Sequence, residues 1–244
     1  MKVIGLIGGM SCESTAHYYA RLNERVREVL GGLHSAEILM WSVDFAPIAE
    51  MQSQDRWQEA GERLATIARR LEGAGAEVIV LATNTMHKVA DAIEAAIGVP
   101  FLHIADATAL KILEAGKRRP AIMATRFTME QDFYTGRLRE KFGLDAVIPE
   151  EADRALVHRI IYDELCVGRV NEISRAAYVD VATRLAAKGA DCLVLGCTEV
   201  GMLLNEGNSP LPIFDTTLIH ADAAVNFALG RNPSDRLPTA QAAE

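Results

Sequence analysis

Apolar positions along this chain switch repeatedly between short continuous runs and helical spacing. Residues 2–8 are apolar and rich in branched side chains and predict a buried strand, ended by the turn Gly8-Gly9-Met10-Ser11. A helix is expected over 13–30, stopped by Gly31-Gly32, followed by a strand over 37–43 and a helix of period near 3.6 over 57–71. A third strand at 78–82, a helix at 87–97 and a fourth strand at 100–104 complete the first half. The order then repeats. A helix at 109–115, a strand at 120–124 ending at Thr125-Arg126, a helix at 129–142 and a short strand at 146–148 precede helices at 154–166 and 172–188. Strands at 192–195 and 212–214 and a last helix at 217–229, behind Asp215, close the pattern, and the tail from Arg231 reads as frayed. Strands alternating with helices at this rhythm give an α/β fold of parallel sheets covered by helices on both faces. Ligands of such sheets lie at the carboxyl ends of the strands.

The two halves also share a local sequence. RLEGAGAEVIVLATNT, beginning at Arg70, aligns without a gap on RLAAKGADCLVLGCTE, beginning at Arg184; six of sixteen pairs are identical, and Thr83 falls on Cys197. In each copy a helix ends at Gly-Ala, a strand follows, and small polar residues sit where the strand gives way. The repeat favours two pseudo-symmetric domains over one: residues 1–106 with 216–244 as an N-terminal domain closed by the C-terminal helix, and 107–215 as the second. A ligand held in the cleft between them meets Thr83 from one side and Cys197 from the other.

Composition narrows the ligand. With 25 basic and 33 acidic residues among 244, the formal net charge is -8, and the signs are interspersed, which disfavours nucleic acid and leaves a small molecule as the expected partner. Half of the residues are hydrophobic, so core material is ample, yet no apolar run spans a bilayer. A strand-like segment directly after Met1 leaves no room for a cleavable signal, and the expected location is cytoplasmic. Cys12, Cys166, Cys192 and Cys197 show no C-x-x-C pairing, so neither zinc nor a disulfide framework is expected. Gly8-Gly9-Met10-Ser11 lacks dinucleotide spacing and no phosphate-loop motif occurs; no cofactor and no metal are expected.

The candidate chemistry centres on the paired loops. Cys197 follows a buried strand and precedes an expected helix N-terminus, where a thiol pKa falls from about 8.5 toward neutrality; the other reading is a small core hydrophobe. Thr83 does not ionise near neutral pH, but it can donate a hydrogen bond, hold a water or relay a proton, or simply cap the next helix. The backbone N–H groups of Asn84-Thr85 and Thr198-Glu199 would form two facing anion sites suited to a carboxylate, although ordinary capping uses the same residues. Gln52 is a candidate polar contact from the loop after the second strand. His87 either orients a carboxylate or is structural, and Arg126 either binds an anion or is solvated. Cys166 and Cys192 read as core.

Gly8-Gly9-Met10-Ser11 with Glu13-Ser14-Thr15, Thr83-Asn84-Thr85-Met86-His87, Ala124-Thr125 and Gly196-Cys197-Thr198-Glu199 together resemble the aspartate/glutamate racemase family, in the branch of broad-specificity amino-acid racemases. The resemblance spans nearly the whole chain. It implies a two-domain pseudo-symmetric fold, a cleft site without a cofactor, a homodimer, a pair of facing cysteines, and substrate contacts from Met10, Ser11, Gln52, Asn84, Thr85, Thr125, Thr198 and Glu199. Three positions depart from the pattern. Thr83 replaces the first catalytic cysteine, Ile48 and Cys166 stand where aspartate-specific members carry an arginine and a lysine, and Cys12 stands where a tryptophan is usual.

Three functions follow. A racemase would use thiolate Cys197 on the α-proton of an L-amino acid, with Thr83 or a water it holds on the opposite face. A lyase of the same superfamily, like the arylmalonate decarboxylases, needs only the second-half thiol but also an apolar pocket. A non-catalytic relative would bind an amino acid without exchanging its protons. Cys12 is either a pocket-wall residue or a second thiol.

Overall fold

The computed structural model describes residues 1–197 and 200–231. Thr198, Glu199 and the expected frayed tail, apart from Arg231, lie outside these. Two wholly parallel sheets form the frame. The first, in the order β2-β1-β3-β4, joins β1 (Ile4–Gly8), β2 (Ile38–Ser42), β3 (Val78–Leu81) and the two-residue β4 (Phe101–Leu102). The second, in the order β5-β6-β7, joins β5 (Pro120–Ala124), β6 (Cys192–Gly196) and β7 (Ile213–Asp215). Ile4 pairs with both Ile38 and Val78, and Leu193 with both Ala121 and Ile213. Strands β1, β3, β5 and β6 are buried along their whole length, which is why they read as continuous apolar runs and not as alternations.

Helices cover both faces of the first sheet. On one face α3 (Trp57–Gly73) packs Leu64, Ile67 and Leu71 against Ile7, Ile79 and Leu81. On the other face α1 (Cys12–Leu30) and α10 (Thr216–Ala228) pack Tyr18, Leu22, Ala221 and Val225 against Ile4, Leu6, Val78 and Val80. The chain therefore returns to the first sheet at its end, as the sequence reading expected. The second sheet is enclosed by α5 (Ile104–Glu114), α7 (Asp132–Phe142), α8 (Glu151–Asp163) and α9 (Glu172–Ala187).

Several elements differ from the sequence reading. A helix absent from it, α2 (Phe45–Ser53), follows β2; the Asp44 carboxylate caps it by accepting from Ala46 N at 3.2 Å, and Pro47 sits in the first turn, where its missing N–H costs nothing. The expected strand at 100–104 shrinks to β4 because His103 caps α5, its Nδ1 accepting from Ala105 N at 3.2 Å, so that Ile104 is already helical. The expected helix at 87–97 is a 3₁₀ turn, Thr85–Val89, leading into the short α4 (Ala90–Glu94). Gln131, extended at ψ 145°, divides the expected helix at 129–142 into α6 (Arg126–Glu130) and α7. The strand expected at 146–148 is a single bridge from Val147 to Ala121.

Two local features govern stability. Gly9 has φ +91°, and a Cβ there would lie 2.2 Å from the Val43 carbonyl oxygen. Its N–H donates to Thr15 Oγ1 at 2.7 Å, so the loop after β1 is clamped between α1 and the chain leaving β2. Gly9→Ala combines a forbidden backbone conformation with a backbone clash and should cost about 2–4 kcal/mol. Thermal unfolding of the variant should show a fall of the midpoint by several degrees.

Three histidines are buried together. His87 and His103 have ring centroids 4.5 Å apart, and His220 on α10 lies 5.9 Å from His87. Burial is the first cause of a depressed pKa in each: well below the ordinary value for His87, to about 2 for His103 and to about 4 for His220. Above the unfolded value near 6.5 both states are neutral and no term arises. As pH falls below it, the unfolded chain takes up protons that the folded chain refuses, so stability is lost toward the folded values. Each such site contributes a slope of at most about 1.4 kcal/mol per pH unit, and that of His220 fades as pH approaches its folded value of about 4. Urea melts across pH 7 to 4 should show this slope, and His220→Gln should flatten it.

Candidate active site

Four loops that enter the site leave the carboxyl ends of strands. Met10 lies two residues beyond β1, Thr83 two beyond β3, Thr125 immediately beyond β5 and Cys197 immediately beyond β6. These four residues line one cleft together with Gln52, Asn84, Thr85 and Gly196. The remaining wall is Phe45, Ile161, Tyr162 and Cys166. Thr83 and Cys197, paired by the internal repeat, are thus brought to the same cavity from different sheets. The walls bound about 370 Å³ in continuity with solvent.

The polar groups are held by a specific network. Asn84, 2 % exposed, donates from Nδ2 to Thr216 Oγ1 at 2.9 Å, and its buried Oδ1 has no hydrogen-bond partner. Thr216, the first residue of α10, donates in turn to the Leu195 carbonyl at 2.8 Å. Thr85, Thr125 and Thr128 form a hydroxyl cluster across the two sheets, with Thr85 Oγ1 2.9 Å from Thr125 Oγ1 and 3.5 Å from Thr128 Oγ1. Gln52, on α2, donates to Met86 Sδ at 3.0 Å and accepts from the Tyr162 hydroxyl, on α8, at 3.0 Å. Among the described lining residues none is charged.

His87 supports the cleft from behind. The Ile104 N–H donates to Nε2 at 3.2 Å, which leaves the ring proton on Nδ1 to donate to the Thr83 carbonyl at 2.7 Å. With both nitrogens committed and its pKa depressed by burial, the imidazole positions the Thr83 loop and does not orient a carboxylate or relay a proton.

Other sequence-based candidates lie elsewhere. Ser11 is absent from the cleft wall; its Oγ caps α1 by accepting from Ser14 N at 3.3 Å. Cys12 is exposed beside Glu13, with Sγ 3.2 Å from the carboxylate, whose hydrogen bond and charge push its thiol pKa up; it neither lines the cleft nor suits a second base. Arg126 is an exposed cation over the Phe127 ring, in keeping with a solvated charge. Ile48 is fully buried behind the wall. Cys192 is core, its thiol pushed up to about 12 by burial, but Cys166, read as core, is half-buried and lines the cleft. Thr198 and Glu199 fall outside the described residues.

The paired loops lead into less helix than expected. Beyond Cys197 the next described element is the three-residue 3₁₀ turn Val200–Met202, whose first N–H donates to the Cys197 carbonyl at 3.1 Å. Thr85–Val89 is also 3₁₀. Such short turns carry little of the aligned dipole on which both the expected thiol activation and the facing anion sites depend. Hydroxyl and amide side chains, not helix N-termini, therefore make up the described polar surface of the cleft.

Phe45, Ile161 and Tyr162 were not singled out from the sequence. Phe45 and Gln52 share one face of α2, and the signal was present in the Asp44 cap and in the apolar spacing of Phe45, Ile48 and Met51. Tyr162 and Ile161 sit on the buried side of α8 at its C-terminal end, where nothing in the sequence separates wall from core.

The described residues contain no helix long and apolar enough to cross a membrane, and no group of three His, Cys, Asp or Glu side chains placed to hold a metal. The chain is similar over 94 % of its length, at 53 % identity and TM-score 0.88, to the whole solved chain of a Yersinia pestis protein assigned as an Asp/Glu racemase. It is 33 % identical over 94 % of its length to all of PH1733, an aspartate racemase homologue from Pyrococcus horikoshii OT3, at TM-score 0.82. Broad specificity amino-acid racemase RacX of Bacillus subtilis is 23 % identical over 231 residues, covering 93 % of this chain and 98 % of that protein. At 18 % identity and TM-score 0.58, arylmalonate decarboxylase shares the fold. The family model described as Asp/Glu/Hydantoin racemase matches residues 7–224. With its two parallel sheets, its shared cleft and these likenesses, the chain belongs to the Asp/Glu/Hydantoin racemase family.

Proposed function

We propose that this protein is a cofactor-independent amino-acid racemase in which Cys197 removes the α-proton of an L-amino acid. The observation that carries the reading is the presence of Thr83 and Cys197, equivalent by the internal repeat, in one cleft. In the proposed reaction the Cys197 thiolate takes the α-proton and the C–H electron pair remains on the α-carbon, delocalised into the carboxylate. A proton then returns to the opposite face from a water bonded to the Thr83 hydroxyl or through that hydroxyl as it takes up a proton from water; the hydroxide left is neutralised through solvent by the proton that Cys197 gives up as it returns to thiolate. The unpartnered acceptor on Asn84 suits the substrate ammonium, and the hydroxyls of Thr85 and Thr125, backed by that of Thr128, can donate to its carboxylate.

The uncharged wall of Phe45, Ile161, Tyr162 and Cys166 supports a neutral side chain in preference to an acidic one, since a buried carboxylate without a counter-charge is costly. Decarboxylation is the second reading, and the single thiol at the paired positions favours it. Such a reaction calls for an apolar pocket around the departing carboxylate, whereas here three threonines and an asparagine occupy that region.

Folded Cys197→Ala should lose about two to four orders of magnitude in exchange of the α-proton of L-amino acids, followed by NMR in D2O. Near-normal conversion of L to D by that variant would reject the assignment. Release of carbon dioxide from disubstituted malonates without amino-acid exchange would establish the second reading instead.

Catalysis should also be lopsided. A thiol can ionise near pH 8, whereas a threonine hydroxyl remains protonated across the accessible range. The equilibrium constant between enantiomers must still be one, so the asymmetry appears only in rates and saturation. Thr83→Cys should raise exchange of the D-enantiomer more than that of the L-enantiomer. Equal exchange of both enantiomers in the unmodified protein, unchanged in Thr83→Ala, would show that another group serves the opposite face.

A further inference from the structure

The amide of Asn84 can face the cleft in either of two ways, and the surroundings decide which. Its partner, Thr216 Oγ1, is completely buried and has one hydrogen to give. That hydrogen goes to the Leu195 carbonyl at 2.8 Å, an atom that can only accept. Thr216 therefore meets Asn84 as an acceptor, and Asn84 must turn its NH2 group toward it. The carbonyl oxygen of the side chain is left over, buried and without a partner, in a residue that lines the cleft. An unsatisfied buried acceptor is costly in a folded protein, and a ligand that donates there recovers the loss.

We propose that Thr216, which does not itself line the cleft, is a positioning residue that fixes the polarity of this subsite, so that it takes an ammonium group in preference to the weaker, uncharged donor of a hydroxyl in its place. Thr216 also ties the two reactive loops together. Asn84 directly follows Thr83, and Leu195 lies two residues before Cys197, so one hydroxyl links both paired positions at the start of α10. Without it Asn84 is free to rotate and present its NH2 group, which welcomes a hydroxyl or carboxylate oxygen and repels an ammonium. The assignment rests on the reading of the cleft as an amino-acid site.

The test compares binding of matched ligand pairs by calorimetry: L-methionine against L-2-hydroxy-4-methylthiobutanoate, and L-aspartate against L-malate. The unmodified protein should favour the amino acid of at least one pair. Thr216→Val, of nearly the same shape, should reduce that preference about tenfold or more, while Thr216→Ser should retain it. A merely structural role would weaken both members of a pair alike, and an unchanged ratio in folded Thr216→Val would overturn the proposal. Should Thr216→Val fail to fold, Asn84→Asp decides the polarity. A carboxylate there should keep or raise amino-acid affinity and lower that of the hydroxy acid, and equal loss of both would mean that a donor faces the ligand. An unmodified protein that binds neither amino acid would overturn both this proposal and the racemase reading. Preferential amino-acid binding without α-proton exchange would remove only the racemase reading, and exchange with an unaltered ratio in Thr216→Val would remove only the role of Thr216.

Discussion

Helix α10 begins on a carbonyl of one sheet and buries its apolar face against the other, and the cleft geometry depends on that double attachment. Its first residue bonds to Leu195 in β6, while Ala221, Ala224 and Val225 pack with Ile4, Leu6 and Val78 of the first sheet. His220 strengthens the link. Tyr18 donates to its Nδ1 at 2.9 Å and its Nε2 donates to the Leu102 carbonyl at 2.9 Å, so α1, α10 and β4 are locked by one neutral ring. Because the strands of each sheet are parallel, all site loops emerge at one end of their sheet. An element that sets one sheet against the other then sets every distance across the cleft.

A second link between the two halves lies in the cleft wall itself. The Tyr162 hydroxyl on α8 reaches Gln52 on α2 at 3.0 Å, and both residues belong to the wall. A single hydrogen bond contributes only about 0.5–1.5 kcal/mol, far less than the apolar packing under α10.

How much of this was legible in the sequence follows from what each element is made of. The buried strands and the long helices α1, α3, α9 and α10 declared themselves through continuous apolar runs and helical spacing, and the repeat placed Thr83 opposite Cys197 before any coordinates. Helix α2 was missed because Ala46-Pro47 resembles a break, although a proline in the first turn is harmless and Asp44 caps the helix. For His87 the sequence left a functional and a structural role open, and Ser11 entered the contact set only through the family resemblance. A polar residue beside a reactive one looks functional in sequence, but each is consumed locally, His87 by two backbone groups and Ser11 by the cap of α1. The entry of Cys166 into the wall depends on the Leu165–Val167 turn after α8, which no sequence period announces.

The internal repeat keeps the backbone and lets the chemistry diverge. In both copies the next described element after the strand is a short 3₁₀ segment, so among the described residues neither Thr83 nor Cys197 is followed directly by a long helix that would stabilise charge. What differs is the support each receives. Thr83 is held from behind by a histidine that stays neutral, whose bond to its carbonyl fixes position without supplying charge. Cys197 follows Gly196, where a Cβ would lie 2.8 Å from that of Ala124, so β5 and β6 approach closely just before the thiol. The first site is thus arranged for geometry and the second for a compact reactive atom. If the ligand is an amino acid, as proposed, its own ammonium would be the positive charge beside a carbanion in this neutral, hydroxyl-lined cleft, and the orientation of Asn84 would matter to the chemistry as well as to binding.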